Sequence, residues 1–210
     1  MPRFRTVAVA GLAASGLLLT SGAAYAGDQD FHRHTHLGGG SFGGGTHISS
    51  MTWAHSSDHL SDLSTATPDA FDAARATAFM MSVNGESTFR LHVKGIDESA
   101  VGKTYPAHLH EGPCVAGNGA AALGHYNTQK EAGLSAPYLV NGETEVHLDF
   151  TVSSQRSARV VAVVPFVPKP GDRSIVIHSN QPPVPPATSP ARWACLPLHI
   201  QELNRANQSH

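Results

Sequence analysis

Short alternating segments separated by turn residues are the feature that most limits what this chain can fold into. Residues 76–83 and 87–94 are two such runs, and the pair Asn84-Gly85 lies between them. An Asn-Gly pair flanked by alternating apolar runs is typical of a β-hairpin with a two-residue turn. In the second run the apolar residues share one face, so His92 is predicted to face water rather than to bind a ligand.

A second Asn-Gly pair, Asn141-Gly142, lies between residues 138–140 and 143–151 and predicts another hairpin. Its second arm also alternates, with Glu143, Glu145, His147 and Asp149 on one face. We interpret this polar set as a solvated sheet face.

Further strands are predicted from short apolar runs at residues 158–164, 174–178 and 195–201, the first of them a buried strand. No convincing amphipathic helix interrupts the series, although residues 58–72 fit either a short helix or an irregular lead-in. The fold class predicted is all-β, an antiparallel Greek-key sandwich or barrel with long loops. This domain is expected to span residues 74–210, after a lead-in at residues 58–73.

The N-terminus has the pattern of a secretory signal. Arg3 and Arg5 precede the apolar run 7–19, and Ala24-Tyr25-Ala26 supplies the small residues of a cleavage site. We therefore predict a signal peptide at residues 1–26. Because the apolar run is too short to span a bilayer, the mature protein is expected to be secreted and to have no membrane anchor.

The charge of the chain argues against one class of partner. Its formal charge is −2, and loss of the two arginines of the predicted signal would make it −4. Proteins that bind nucleic acid through its phosphates carry basic surfaces and usually a positive balance. Nucleic acid is therefore not a predicted partner.

Residues 27–57 predict a disordered arm, because glycine and serine dominate the segment and no apolar period is present. His32, His34 and His36 leave two interpretations open. The arm either captures metal for a site downstream or is a solvated tail without a role.

A pair of histidines, His108 and His110, gives the first specific chemical signal. In a strand, residues two apart project to the same face, so both imidazoles would reach one point. Imidazole binds copper, zinc, iron and nickel, and a site built only from nitrogen favours copper over zinc by affinity.

Four motifs follow one another in the second half of the chain. They are His108-Leu109-His110 before Cys114, Gly124-His125-Tyr126-Asn127, Val176-Ile177-His178 and Arg192-Trp193-Ala194-Cys195. This order resembles the copper/zinc superoxide dismutase family over about residues 74–200. Only two cysteines are present, so a single intramolecular pairing is possible.

The resemblance implies an enzyme that converts superoxide to oxygen and hydrogen peroxide with one copper ion per chain. It implies a disulfide between Cys114 and Cys195, a role for His125 in the catalytic cycle as well as in binding, and Arg192 as the cation that attracts the substrate. The implied copper ligands are His108, His110, His125 and His178.

Two departures from the family pattern separate this chain from most members. Between residues 126 and 137 there is no histidine or aspartate, so the resemblance is to the copper-only members and zinc is expected to be absent. Glu131 is the only carboxylate there, and we considered it as the partner of the second nitrogen of His125. Residues 180–186 carry no charge, which leaves substrate attraction mainly to Arg192.

Two other functions remain open at this stage. A copper buffer or carrier on a dismutase-like scaffold fits the His-rich arm and the missing zinc ligands, whereas Arg192 favours the enzyme because a buffer needs no cation beside the metal. A structural or adhesive sandwich domain is the third possibility. The sequence does not determine the oligomeric state.

Overall fold

Ten strands carry most of the chain that this computed structural model describes, which is residues 50–204 apart from 66, 184 and 188. They are β1 Ser50–His59, β2 Ser61–Asp62, β3 Arg75–Val83, β4 Glu86–Lys94, β5 Thr104–Tyr105, β6 Ala107–His110, β7 Phe150–Thr151, β8 Ser157–Val164, β9 Gly171–His178 and β10 Arg192–Asn204. One helical turn, α1 Thr128–Glu131, and two short 3-10 segments, Glu98–Ala100 and Gly119–Ala122, complete the described elements. Nowhere in this part of the chain does a helix reach the length and apolarity needed to cross a membrane.

The first predicted hairpin is confirmed. β3 and β4 pair from Arg75 opposite Lys94 to Val83 opposite Glu86. Between them, the turn residues 84 and 85 have φ values of 54° and 84°. Positive φ at both central positions is what a type I′ turn requires, and Asn-Gly accepts it at little cost. Buried and exposed residues then alternate along both arms.

The strands form an all-β antiparallel fold, as predicted. The main sheet has the order β6-β9-β10-β1-β3-β4-β8, with β2 pairing with β10, and a small second sheet joins β5 to β7. The last strand, β10, lies between β1 and β9, so the C-terminal strand pairs with the first strand of the sheet. The main sheet curls around one core.

The core is rich in aromatic side chains. Phe71 packs edge-on against Tyr105 with ring centroids 5.0 Å apart, and Phe150 and Trp193 lie against the same pair. Burying one large apolar side chain contributes about 1.5–3 kcal/mol. This cluster therefore fixes the start of β10, which carries one of the predicted site residues, against the strand that leads into β6.

Two predictions about elements are corrected by the structure, and one alternative that the sequence left open is decided. β1 begins at Ser50, so residues 50–57 belong to the sheet and not to a disordered arm, because they pair with β3 and β10. The described residues of 58–72 form short strand and turn segments, which is the irregular lead-in and not the helix. β8 is an edge strand with Val161 and Val163 more than half exposed, and is not a buried strand.

The second predicted hairpin is also wrong. Residues 141–144 form a turn, and the chain beyond them makes only isolated bridges, Asn127 with Glu145 and His108 with His147, before the short strand β7. The reason is that residues 143–151, the predicted second arm, lie beside β6 and the loop after β6 and do not pair with residues 138–140. The predicted signal peptide and residues 27–49, with His32, His34 and His36, lie outside the described residues.

The disulfide between Cys114 and Cys195 is present. It joins the loop after β6 to β10 across 81 residues of sequence, and Cys195 is fully buried. Closing a loop of that length restricts the unfolded chain and contributes about 4 kcal/mol in the chain-entropy account. It also holds the loop next to the histidines of β6.

Candidate metal centre

Four histidines from three parts of the fold meet at one end of the main sheet. His108 and His110 lie on β6, paired with Val176 and Ser174 of β9, and His178 ends β9. His125 is brought in by a bridge to His110, where the loop after β6 folds back on that strand. The convergence predicted from the sequence is therefore present in the structure.

The four imidazole rings are in direct contact. The centroid of His108 lies 4.1 Å from that of His125 and 5.3 Å from that of His178. His110 lies 4.9 Å from His125 and 5.3 Å from His178 by the same measure. His110 and His178 are almost fully buried, and His108 is 9% exposed.

The ring nitrogens fit a metal ion. One nitrogen each from His108, His125 and His178 lies within 4.8 Å of the others, and Nε2 of His110 lies 3.2 Å from Nε2 of His178. Nitrogens bound at about 2.0–2.1 Å to one ion are about 2.9 Å apart at a right angle and about 3.4 Å apart at a tetrahedral angle. The observed separation falls between these values.

The second nitrogen of two rings is held by a backbone carbonyl oxygen. Nδ1 of His110 donates to the carbonyl oxygen of Leu123 at 3.2 Å, and Nδ1 of His178 to that of Pro190 at 3.4 Å. A carbonyl can only accept, so both rings carry their proton on Nδ1 and present Nε2 as a lone pair. In His108 it is Nδ1 that is buried without a partner, while Nε2 lies 3.6 Å from Oδ1 of Asp149.

Burial keeps three of the rings neutral. Burial and, as a smaller cause, the neighbouring imidazoles lower the pKa of His108 to about 2, of His110 to about 3 and of His178 to about 4. A metal competes with a proton for the same lone pair. At neutral pH these histidines therefore have no proton to release when a metal binds.

Glu145 is the residue that sequence reasoning missed. Its Oε2 lies 2.8 Å from Nδ1 of His125, and its Oε1 accepts a hydrogen bond of 3.0 Å from the side chain of Asn127. Burial alone would raise the pKa of Glu145, but these hydrogen bonds outweigh it and hold the pKa below its usual value. The carboxylate is thus charged and fixes His125 with Nε2 turned to the other histidines.

Glu131, the predicted partner of His125, has another role. Its carboxylate lies 3.0 Å from Nζ of Lys169, which also donates to the carbonyl oxygen of Glu131. The error followed from the wrong hairpin, in which Glu145 would face water. The sequence signal that could have identified Glu145 is its alternation with His147 and Asp149. Glutamate, histidine and aspartate on one strand face are also the pattern expected of a metal-binding site.

His147 and Asp149 extend the cluster on the side of His108. The His147 ring meets the His108 ring edge-on with centroids 4.8 Å apart, and Asp149 accepts a hydrogen bond of 3.0 Å from the backbone of Ala107. One atom each from His108, His147 and Asp149 lies within 4.8 Å of the others. These two residues lie outside the segment 126–137 on which the expectation of no zinc was based.

Arg192 lies beside the histidines and is linked to them through the backbone. Its two Nη atoms donate to the carbonyl oxygens of Gly119 and Leu123, and the Leu123 oxygen also accepts from His110. The positive charge of Arg192 helps to lower the pKa of both His110 and His178. An open depression runs beside it, lined by Gly119, Ala120, Leu123, Gly124, Ser189 and Arg192.

Gly112 keeps that turn in place. A Cβ at this position would lie 2.1 Å from the carbonyl oxygen of Ala121, and the Gly112 N–H donates to the carbonyl oxygen of Ala122 at 2.9 Å. Only glycine permits so close an approach of two backbones. The turn that carries the two acceptors of Arg192 is therefore fixed against the end of β6.

Comparisons with known proteins add nothing to this geometry. No protein-family model matches the chain, and no curated protein matches it at a significant level. The resemblance to the copper/zinc superoxide dismutases thus depends on the four motifs and on the site that their residues form.

Proposed function

We propose that this protein is a secreted, copper-dependent superoxide dismutase that works without zinc. The observation that carries the proposal is the convergence of neutral histidine nitrogens beside a guanidinium. An all-nitrogen set suits copper by ligand type and by affinity order. Export is supported by the N-terminal signal pattern and by the disulfide, since such bonds persist in oxidising compartments.

The bound copper would supply one-electron chemistry, in which one superoxide is oxidised to dioxygen and a second, with two protons, is reduced to hydrogen peroxide. The protein provides the ligands and their orientation. Leu123, Pro190 and Glu145 hold the outer nitrogens of three rings, which fixes the tautomers and the direction of the lone pairs.

Arg192 would attract and orient the anionic substrate. Its guanidinium is charged at all relevant pH values and presents several donors in one plane. The two hydrogen bonds to backbone oxygens hold this plane at the depression beside the histidines. Each Nη retains a second N–H, so donors remain for a small anion.

His125 is the ring best placed to handle a proton. Glu145 contacts its Nδ1, so an imidazolium formed by protonation at Nε2 would have a carboxylate beside it. His125 can therefore take up a proton at Nε2 and donate it to the reduced substrate.

A copper buffer or carrier is the second candidate. One observation favours it: both Nη atoms of Arg192 hold the turn at residues 119–123, so this arginine has a structural role that needs no substrate. Under this alternative the four histidines bind copper but superoxide decays no faster.

Reconstitution of the metal-free protein separates the two. Copper alone, zinc alone and both metals are added, bound metal is counted, and superoxide decay is followed. The enzyme predicts one tight copper and fast decay with copper alone, slowed roughly tenfold or more in Arg192→Gln and made less sensitive to salt. Copper binding without decay faster than in His108→Ala would establish the buffer, and stoichiometric zinc beside copper would overturn the copper-only assignment.

A further inference from the structure

The outward face of β3, β4 and β8 carries a row of positive groups away from the histidine cluster. We call the set Arg75, Arg90, Lys94 and Arg159 the cationic track, and His92 lies among its members. The strand alternation that buries the core side of β3 and β4 turns these residues to the other side. On the outward side of the three strands the only carboxylate is Glu86, at the far end beside the turn.

Two positive residues stand opposite each other across the pair of β3 and β4. Arg75 is the register partner of Lys94. Like charges directly opposite each other destabilise a sheet. Among the described residues, the arginines and the lysine of the track have no carboxylate within 4.0 Å. The track therefore costs stability that no ion pair on this face offsets.

The field of the track acts on His92. Partial burial lowers the pKa of His92, and the charges of Arg159 and Lys94 lower it further. Nη1 of Arg75 contacts an imidazole, Nε2 of His59 at 2.9 Å, and no acid. The positive potential at this face is thus available to an external anion.

The spacing of the track suits a chain of anionic groups. Outward residues two apart on β4 are separated by about 6.6–6.8 Å, and neighbouring strands by about 4.8 Å. A depression at one end is lined by Arg75, His92 and Lys94 and by the hydroxyls of Ser57 and Thr77, whose oxygens are 3.0 Å apart. Hydroxyl, guanidinium and ammonium groups together form a donor set for a phosphate or sulfate oxyanion.

We propose that the cationic track binds a linear polyanion that carries phosphate or sulfate groups, with one group seated in the depression beside Arg75 and Lys94. Charge complementarity, the line of positive groups and the hydroxyl-lined depression support a polymer over a flat lipid surface. The track does not touch the histidine cluster, so this binding is independent of any metal.

The test uses the full chain and two matched double variants. Lys94→Gln/Arg159→Gln removes two charges from the track. The control, Lys103→Gln/Lys169→Gln, removes two charges elsewhere. The N-terminal histidines are unchanged in both double variants. Binding to long-chain inorganic polyphosphate, to dextran sulfate and to vesicles with anionic lipid is measured at several salt concentrations, and thermal unfolding verifies that both variants fold.

We expect the wild type and the control to bind polyphosphate or dextran sulfate, with affinity that falls steeply as salt rises. The track variant should bind at least about tenfold more weakly and with a shallower salt dependence. The two polymers distinguish a phosphate from a sulfate ligand. Equal loss in both double variants, no binding by the wild type, or binding to vesicles but to neither polymer would each overturn the proposal.

Discussion

Two segments of this chain carry the same local signal and fold differently. Asn84-Gly85 and Asn141-Gly142 both precede an alternating run, yet only the first pair takes positive φ and closes a hairpin. At the second pair, the N–H of Thr144 donates to the carbonyl oxygen of Asn141, and the chain then runs beside β6.

The difference lies in what the arms can contact. The polar face of β4 is exposed or half-buried, and β4 pairs with β3, its neighbour in sequence, and with β8. The polar face after Gly142 meets imidazoles, where Glu145 is hydrogen-bonded and 4% exposed. Charged hydrogen bonds in a buried site are stronger than the contacts of a local hairpin. Local turn signals therefore decide the structure only where no tertiary partner competes.

The largest effect is expected when one of two strand histidines is replaced by alanine in separate variants. His108→Ala should abolish stoichiometric copper binding at the site and reduce copper-dependent superoxide decay more than the roughly 100-fold that loss of an outer partner costs. His92→Ala, on the hairpin, should leave both unchanged because its ring faces outward. Bound copper and decay rates are measured on both, with circular dichroism as the check on folding. Equal behaviour of the two variants would contradict the assignment of the site.

Acid should destabilise the metal-free protein mainly through the site, where three histidines are buried, and less through the half-buried His92 of the hairpin. His108, His110 and His178 have folded pKa values well below that of an unfolded histidine, so the unfolded state binds more protons as pH falls below about 6.5. Stability should be flat above pH 7 and fall below it, by up to about 2 kcal/mol per histidine at pH 5. Urea unfolding at pH 7 and pH 5 measures this.

The same experiment has an internal comparison. His108→Ala should show a smaller loss between pH 7 and pH 5 than either the wild type or His92→Ala, because the ring of His108 is buried more fully than that of His92. A wild-type stability that does not change over this range would show that the site histidines are not held neutral by burial.

Glu145→Gln tests the contact that the failed hairpin prediction concealed. The amide keeps the shape but loses the charge beside His125, so copper affinity should fall about 10-fold to 100-fold. Glu131→Gln removes a carboxylate that pairs with Lys169 and should leave copper affinity within about twofold, since exposed ion pairs contribute little. Competition with a copper chelator gives both affinities. A larger effect at Glu131 would contradict the assignment of Glu145 as the partner of His125.

The smallest effect comes from the turns themselves. Gly85 has φ +84° and open space around its Cβ position, so Gly85→Ala should cost about 1–2 kcal/mol through backbone strain alone. Gly142 also has open space but no positive φ, so Gly142→Ala should change the free energy of unfolding by less than about 0.5 kcal/mol. Denaturant unfolding of the copper-free variants compares them, and equal costs would mean that the two turns are alike after all.

Much of the fold followed from local pattern. The β3–β4 hairpin, the strands at β6, β9 and β10 and the all-β class were predicted because period-two alternation and Asn-Gly turns act over a few residues. The edge position of β8 was not, since Val161 and Val163 are exposed through the order of strands in the sheet and not through their own sequence.

The site divides in the same way. The sequence alone determined which residues can bind a metal, because imidazole nitrogens at positions 108, 110, 125 and 178 and one possible cysteine pairing are properties of the chain. Only the tertiary structure decided that Glu145 rather than Glu131 holds His125, that His147 and Asp149 lie against His108, and that Arg192 shares the Leu123 carbonyl with His110. The physical reason is that the hydrogen bonds of a buried ring depend on which distant segment places a charged or carbonyl oxygen beside it. Packing across the whole sheet decides which segment this is.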